Sequence, residues 1–164
     1  MSRAASHVRL DYAEFRKRAP QVADALTALS KTARENGIEP DLVELIKIRA
    51  SQINGCAFCL QYHLNEARRL GVAPEKLDLV ATWREAGIYS AREQAALAWT
   101  EALTEVSRNG APEDVYEEVV ARFGDTQALF LTVAVATINT WNRIGVAFTF
   151  APPIPKPAAA RAAG

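Results

Sequence analysis

Proline and glycine fall along this chain in an order that marks off one helix after another. Pro20, Pro40, Pro74 and Pro112 each stand where a helix can open, because the first turn has no partner for the N–H that proline lacks. Asn36-Gly37, Asn54-Gly55, Gly71, Asn109-Gly110 and Gly124 stand where one can close, since these residues accept a left-handed backbone. No stretch alternates apolar and polar residues at the period of a strand, and no repeat of solenoid length occurs. The expected fold class is all-α.

Between those marks the apolar residues follow helical spacing. A short helix is expected from Asp11 to Ala19, and after Pro20 the residues Val22, Leu26, Leu29 and Ala33 share a face. A Leu- and Ile-rich helix follows from Leu42 to Ile53, then one that begins at Cys56 and carries Cys59, His63, Ala67 and Leu70. Pro74 opens a short helix toward Thr82. Ser90 and Glu93 form a capping box, with Ala96, Trp99, Leu103 and Val106 on one face beyond it. After Pro112, Tyr116, Val119, Val120 and Phe123 are expected inward. Asp125 is placed to cap a last helix that is apolar on nearly every side from Ala128 to Ile138. Residues 1–150 thus read as a single-domain bundle of seven or eight helices. The run Ala151-Pro-Pro-Ile-Pro-Lys-Pro favours an extended, Pro/Ala-rich arm over 151–164.

The 164 residues are enough to bury a core without covalent staples. Nineteen basic and nineteen acidic residues leave no field to hold a phosphate backbone or an anionic membrane, which argues against nucleic acid as a partner. The longest apolar run, Ala128 to Ile138, is well short of the roughly 20 residues that span a bilayer, so no membrane segment is expected. Met1 to Arg18 has no apolar run leading to a cleavage site, and a cytoplasmic location is the expectation. In a reducing compartment two cysteines are better explained by redox or metal chemistry than by a disulfide framework.

Both cysteines lie in Cys56-Ala-Phe-Cys59, with His63 one turn on and Glu44 twelve residues before the first thiol. Residues three apart on a helix have Cα atoms about 5 Å apart, within reach of a disulfide, so the pair can cycle between dithiol and disulfide. Cys56 at the helix start is placed for a thiolate, favoured by unpaired N–H groups and the helix dipole. If the chain reverses at Asn54-Gly55, Glu44 and His63 lie roughly 16 and 12 Å from the turn at about 1.5 Å per residue. That is similar depth on antiparallel helices. A carboxylate beside the imidazole would make it a base for a nearby thiol.

A zinc site would need His7 or Glu44 to join Cys56, Cys59 and His63, a set ill suited to a tetrahedron, and no metal is assigned. Leu60 stands where a haem-attachment motif needs histidine. No strand precedes the motif, as a thioredoxin fold would require. Two buried cysteines without a role are the plain alternative, and the added Glu44 and His63 spacing weighs against it. His7 is expected in solvent. Phe58 and Tyr62 either line a substrate entrance or simply pack. Asn139 and Arg143, one turn apart, either line a pocket or, as favoured, Arg143 pairs with an acidic residue.

The spacing Glu44, Cys56-Ala-Phe-Cys59, His63 resembles the alkyl hydroperoxidase D branch of the carboxymuconolactone decarboxylase-like family. The likeness is most specific from Pro40 to Ser107, with Leu70-Gly-Val and Ala81-Thr-Trp-Arg-Glu, and extends more loosely through Asn139-Thr-Trp-Asn-Arg143. It implies a helical homo-oligomer, trimer or hexamer, and a peroxidase of small organic hydroperoxides or hydrogen peroxide. Carried onto matching positions, Cys59 attacks the peroxide, Cys56 resolves the sulfenic acid, and Glu44 with His63 relays protons. No cofactor is implied beyond an external dithiol or thioredoxin-like reductant. The family's better-studied members have a histidine before the second cysteine, where this chain has Phe58, so the relay is shorter. The other readings are a carboxymuconolactone decarboxylase-type enzyme, which needs no cysteines, and a disulfide-exchange adaptor or redox sensor.

Overall fold

A computed structural model of the chain describes residues 8–155. His7 and the end of the Pro/Ala-rich arm lie outside the described residues. Among the described residues the structure is helical and contains no strand. The elements are α1 (Tyr12–Arg18), α2 (Pro20–Glu35), α3 (Pro40–Ile53), α4 (Ala57–Arg69), α5 (Pro74–Leu79), α6 (Trp83–Ala86), α7 (Ala91–Thr104), α8 (Val106–Asn109) and α9 (Glu113–Phe148). Seven of these run six residues or longer, and α6 and α8 are single turns. The caps explain the borders. Prolines open α2, α3 and α5, Asp11 accepts from the N–H groups of Ala13 and Glu14, and Ser90 with Glu93 closes a full capping box on α7.

The bundle is built around α3, which packs against α4, α7 and α9 and buries residues on every side. One apolar cluster joins its Leu42, Val43 and Ile46 to Trp99, Phe123, Leu131 and Val135, and a second joins Leu45 and Ile48 to Leu77, Val80, Trp83 and Leu97. A helix with neighbours all around has no polar face to keep, which is why its charged residues are informative. An aromatic group of Tyr12, Phe15, Phe58, Trp141 and Phe150 closes the bundle where α1, α4 and the end of α9 meet.

Several expected faces are corrected. On α2, Val22 and Leu29 are each 45% exposed, and the inward residues are Ala23, Leu26, Thr27, Ser30, Ala33 and Arg34. The inner face of α2 is small and polar because part of it borders a cavity, so the larger aliphatic residues misled the reading. Val106 is 51% exposed because α7 stops at Thr104 and a new turn begins, carrying it off the face. Tyr116 is 41% exposed and lies against the Trp99 ring at 5.7 Å rather than inside the core.

Gly124, with φ 70 and ψ 166, kinks α9 without a separate loop, and among the described residues Asp125 makes no capping hydrogen bond. Two helical segments thus meet at Gly124, where the sequence placed a helix end, and by length and composition α9 includes a stretch apolar enough to cross a membrane. Its Ala128, Leu131, Ala134 and Val135 are instead taken up by the core, and the buried Asn139 and Asn142 belong to a polar network.

Candidate active site

Residues on α3 and α4 form the site, and the turn between them sets its geometry. Gly55, at φ 67, supplies the left-handed step that reverses the chain, and the Cys56 N–H returns to the Ser51 carbonyl at 3.1 Å. The two helices then run antiparallel, which brings Glu44 Oε2 to 2.7 Å from His63 Nδ1. Glu44 is only 1% exposed. Its other oxygen accepts from Arg34 Nη2 of α2, and Lys47 Nζ lies 3.7 Å away. One buried carboxylate therefore holds an imidazole, a guanidinium and an ammonium in place.

The protonation pattern follows from those neighbours. Burial pushes the Glu44 carboxyl up, but the His63 hydrogen bond and the charges of Lys47 and Arg34 outweigh it and hold the group below its ordinary value. Burial pushes His63 down, and Glu44 only partly restores it, so the imidazole is neutral. An ionised carboxylate can only accept, so the His63 proton sits on Nδ1 and donates to Glu44. Nε2 is left as the free base. Burial also holds Lys47 below its ordinary value, with Glu44 opposing.

Cys56 is the N-cap of α4, and its Sγ accepts the Cys59 N–H at 3.3 Å. The Cys59 thiol, that N–H and the Asn142 side chain lower the Cys56 thiol to about 7 against the cost of burial. Cys59 moves the other way, raised by its neighbour Cys56 and by burial. The resting thiolate of the pair thus belongs to Cys56. Both thiols are free and buried. They crowd the same point on α9: a Cβ added to Gly145 would stand 2.8 Å from Cys56 Sγ and 3.4 Å from Cys59 Sγ.

The two sulfurs face different openings. A cavity of about 190 Å³ is lined by Cys59, His63, Glu44 and Lys47 on one side and by Phe58, Tyr62 and Trp141 on another. A second, of about 320 Å³, is lined by Cys56, Gly145, Phe150 and Pro152. Phe58 borders both, its ring 4.7 Å from that of Tyr12 and 5.4 Å from that of Phe150. Among the described residues no three His, Cys, Asp or Glu side chains converge as a metal-ligand set.

Of the residues singled out in the sequence, Glu44, Cys59, His63, Phe58 and Tyr62 meet at one cavity, with Cys56 just behind it. Asn139 and Arg143 do not line it. Asn139 is buried, accepting from Asn54 Nδ2 and donating to Thr104 Oγ1. Arg143 donates to the carbonyl and side-chain oxygens of Asn139 at 3.0 and 3.1 Å, and no acidic residue among those described pairs with it. The favoured expectation of an acidic partner is replaced by a helix-local bond one turn back.

Sequence reasoning missed Arg34, Lys47, Asn142 and Gly145. Lys47 carried a signal, since a lysine three residues after Glu44 in an otherwise Leu/Ile-rich helix calls for a buried partner. Asn142 bonds Asn54 Nδ2 and Ser51 Oγ, so it ties α9 to the reversing turn and presents its amide to the sulfurs.

Comparison with known proteins places the chain in a family and a fold. The model of the carboxymuconolactone decarboxylase family matches residues 20–102. The uncharacterized protein YdfG of Bacillus subtilis (strain 168) is 34% identical over 139 residues, covering 85% of this chain and 92% of its own. A crystal structure of a protein of unknown function from Agrobacterium tumefaciens, ATU0492, for which an antioxidant-defence role as AhpD has been suggested, superposes with a TM-score of 0.83. That match has 39% identity and covers 90% of this chain and 99% of the other. An uncharacterized peroxidase-related protein from Ralstonia eutropha JMP134, described as an alkylhydroperoxidase AhpD core, shares the fold at TM-score 0.74. It is 21% identical, covering 87% and 80% of the two chains. The chain is an alkyl hydroperoxidase D-like member of the carboxymuconolactone decarboxylase family.

Proposed function

We propose that the protein is a thiol-dependent peroxidase that reduces organic hydroperoxides, and hydrogen peroxide with them, through a Cys56/Cys59 dithiol-disulfide cycle. The observation that carries this reading is the 2.7 Å contact of Glu44 with His63 at the wall of the cavity that Cys59 also lines. A neutral imidazole with its proton turned toward a carboxylate is a base whose free nitrogen can take the proton of a thiol.

In the cycle, His63 Nε2 takes the Cys59 proton as Cys59 Sγ attacks the outer peroxide oxygen. The O–O bond breaks, the alkoxide takes the proton from His63 and leaves as an alcohol, and Cys59 becomes a sulfenic acid. The Cys56 thiolate then attacks that sulfur, and hydroxide leaves as water with one added proton. The peroxide has gained two electrons, and the Cys56–Cys59 disulfide is the thiol pair oxidised by those two. An external dithiol or thioredoxin-like reductant attacks the Cys56 sulfur from the second cavity, passes through a mixed disulfide, and leaves oxidised with both cysteines as thiols. Phe58 shields both sulfurs and carries no proton, so the relay has Glu44 and His63 alone. We assign no cofactor or metal to this cycle, and we place it in a reducing cytoplasm.

Cys59→Ser is expected to abolish oxidation by an alkyl hydroperoxide, and Cys56→Ser to leave a sulfenic acid on Cys59, read by dimedone labelling and mass spectrometry. Unchanged peroxide consumption by Cys59→Ser removes the assignment and leaves disulfide exchange with a partner protein as the reading. No label on Cys59 in Cys56→Ser, with label on Cys56 in Cys59→Ser, would reverse the order of the two sulfurs. The same proposal takes the chain as a homo-oligomer, a trimer or hexamer, in which exposed apolar residues such as Leu129 and Val22 find cover. Sedimentation at a single monomer mass would exclude it.

A further inference from the structure

The cavity beside Cys59 has an unbalanced wall. Glu44 brings one negative charge, while Lys47 and Arg34 each bring a positive one to the same carboxylate. Glu66, another carboxylate lining the cavity, is bound to Arg69 at 2.6 Å. Lys31, on α2 one turn before Arg34, also lines the cavity and has no ion pair among the described residues. The positive charge is therefore in surplus, at the end of the cavity formed by α2.

Arg34 supplies a second, independent sign. Its one hydrogen bond uses Nη2, toward Glu44; Nε–H is sealed from solvent, and Nη1 makes no hydrogen bond among the described residues and is not among the buried unpartnered atoms. The two Nη nitrogens of a guanidinium form an edge that matches a carboxylate with two parallel bonds. The Ser30 hydroxyl lies on the same wall, and across the cavity Phe58, Ile138 and Trp141 offer apolar surface. The space thus has a cationic side, a hydrocarbon side and a thiol.

We propose that Arg34, with Lys31, recognises a carboxylate, and that the favoured substrates are small organic hydroperoxides that carry a carboxylate in the same molecule. The anion takes the Nη1 side of the Arg34 guanidinium, Lys31 adds long-range attraction, and the hydrocarbon lies on Phe58, Ile138 and Trp141, bringing the peroxide to Cys59. This inference rests on the peroxidase reading and adds the substrate class. Lys47 stays with Glu44 and is not needed for the contact.

The test compares 4-hydroperoxy-4-methylpentanoate with its methyl ester, at one pH and low salt, by the rate of thiol loss from the reduced full-length protein. A charged two-bond contact implies that the acid reacts with a kcat/KM about tenfold or more above that of the ester. Arg34→Lys keeps a charge beside Glu44 but loses the fork, and Lys31→Gln changes an exposed residue with little risk to folding. Each is expected to bring the acid-to-ester ratio down, toward parity for Arg34→Lys. Equal rates for acid and ester in the unaltered protein, or a ratio that survives both substitutions, overturn this inference and leave the peroxidase reading standing. No thiol loss with either peroxide overturns both.

Discussion

At the scale of single residues the account depends on which groups hold protons. Cys56 is lowered to about 7, so its thiolate exists above that pH, and alkylation by iodoacetamide should rise through a midpoint near 7 with the label on Cys56. Cys59→Ala removes the neighbouring thiol, the largest influence holding that value down, and the midpoint should move upward toward 9. A midpoint that stays near 7 would mean that the helix start and Asn142 suffice. Glu44→Gln tests the carboxylate by two readouts. It leaves Lys47 and Arg34 facing an amide, a loss of about 3 kcal/mol by the usual effect of breaking a buried pair. It also removes the group that fixes the His63 tautomer, so peroxide-driven oxidation should fall by about a hundredfold. Loss of stability with unchanged rate would make Glu44 a structural residue only. Glu44, Cys56, Cys59 and His63 were legible in the sequence because a one-turn spacing and a single reversing turn bring them together. Arg34 was not, because its place depends on how α2 is rotated, and the large residues Val22 and Leu29 pointed to the wrong face.

At the scale of elements, α9 closes the site through two residues one turn apart, Asn142 and Gly145. An alanine in a helix interior usually gains about 1 kcal/mol over glycine. At position 145 its Cβ would come within 2.8 Å of Cys56 Sγ, closer than packed atoms tolerate. Overpacking costs about 1–3 kcal/mol, so Gly145→Ala should be neutral to mildly destabilising, while the sulfurs are pushed from their resting positions. Disulfide closure after one equivalent of peroxide should slow in this variant, as measured by rapid acid quench and thiol titration. Closure at the normal rate would show that the sulfurs have room the structure does not give them. The helix order could be read from proline, glycine and the Ser90 capping box, since caps are local chemistry. The break at Gly124 could be read in the same way, since glycine accepts the positive φ found there. The end of α7 at Thr104 could not, because it depends on packing that ends a helix before its apolar pattern does.

At the scale of the whole molecule, buried charge links stability to pH. Glu44, Glu39 and Glu101 are all held below the ordinary carboxyl value in the folded protein, each against burial and by the cations or donors beside it. Each contributes stability that is fully present above the unfolded value and is lost as pH falls through the lowered folded one. The thermal midpoint should therefore drop below about pH 4.5, and Glu44→Gln should flatten that drop. A midpoint indifferent to acid would mean that these ion pairs contribute nothing net. The peroxidase account itself rests on two free thiols acting as one two-electron switch. Its most direct test is to titrate the thiols of the fully reduced protein before and after one equivalent of an alkyl hydroperoxide. The account predicts that both thiols disappear together and return with a dithiol reductant. A full thiol count after the peroxide has been added would contradict it.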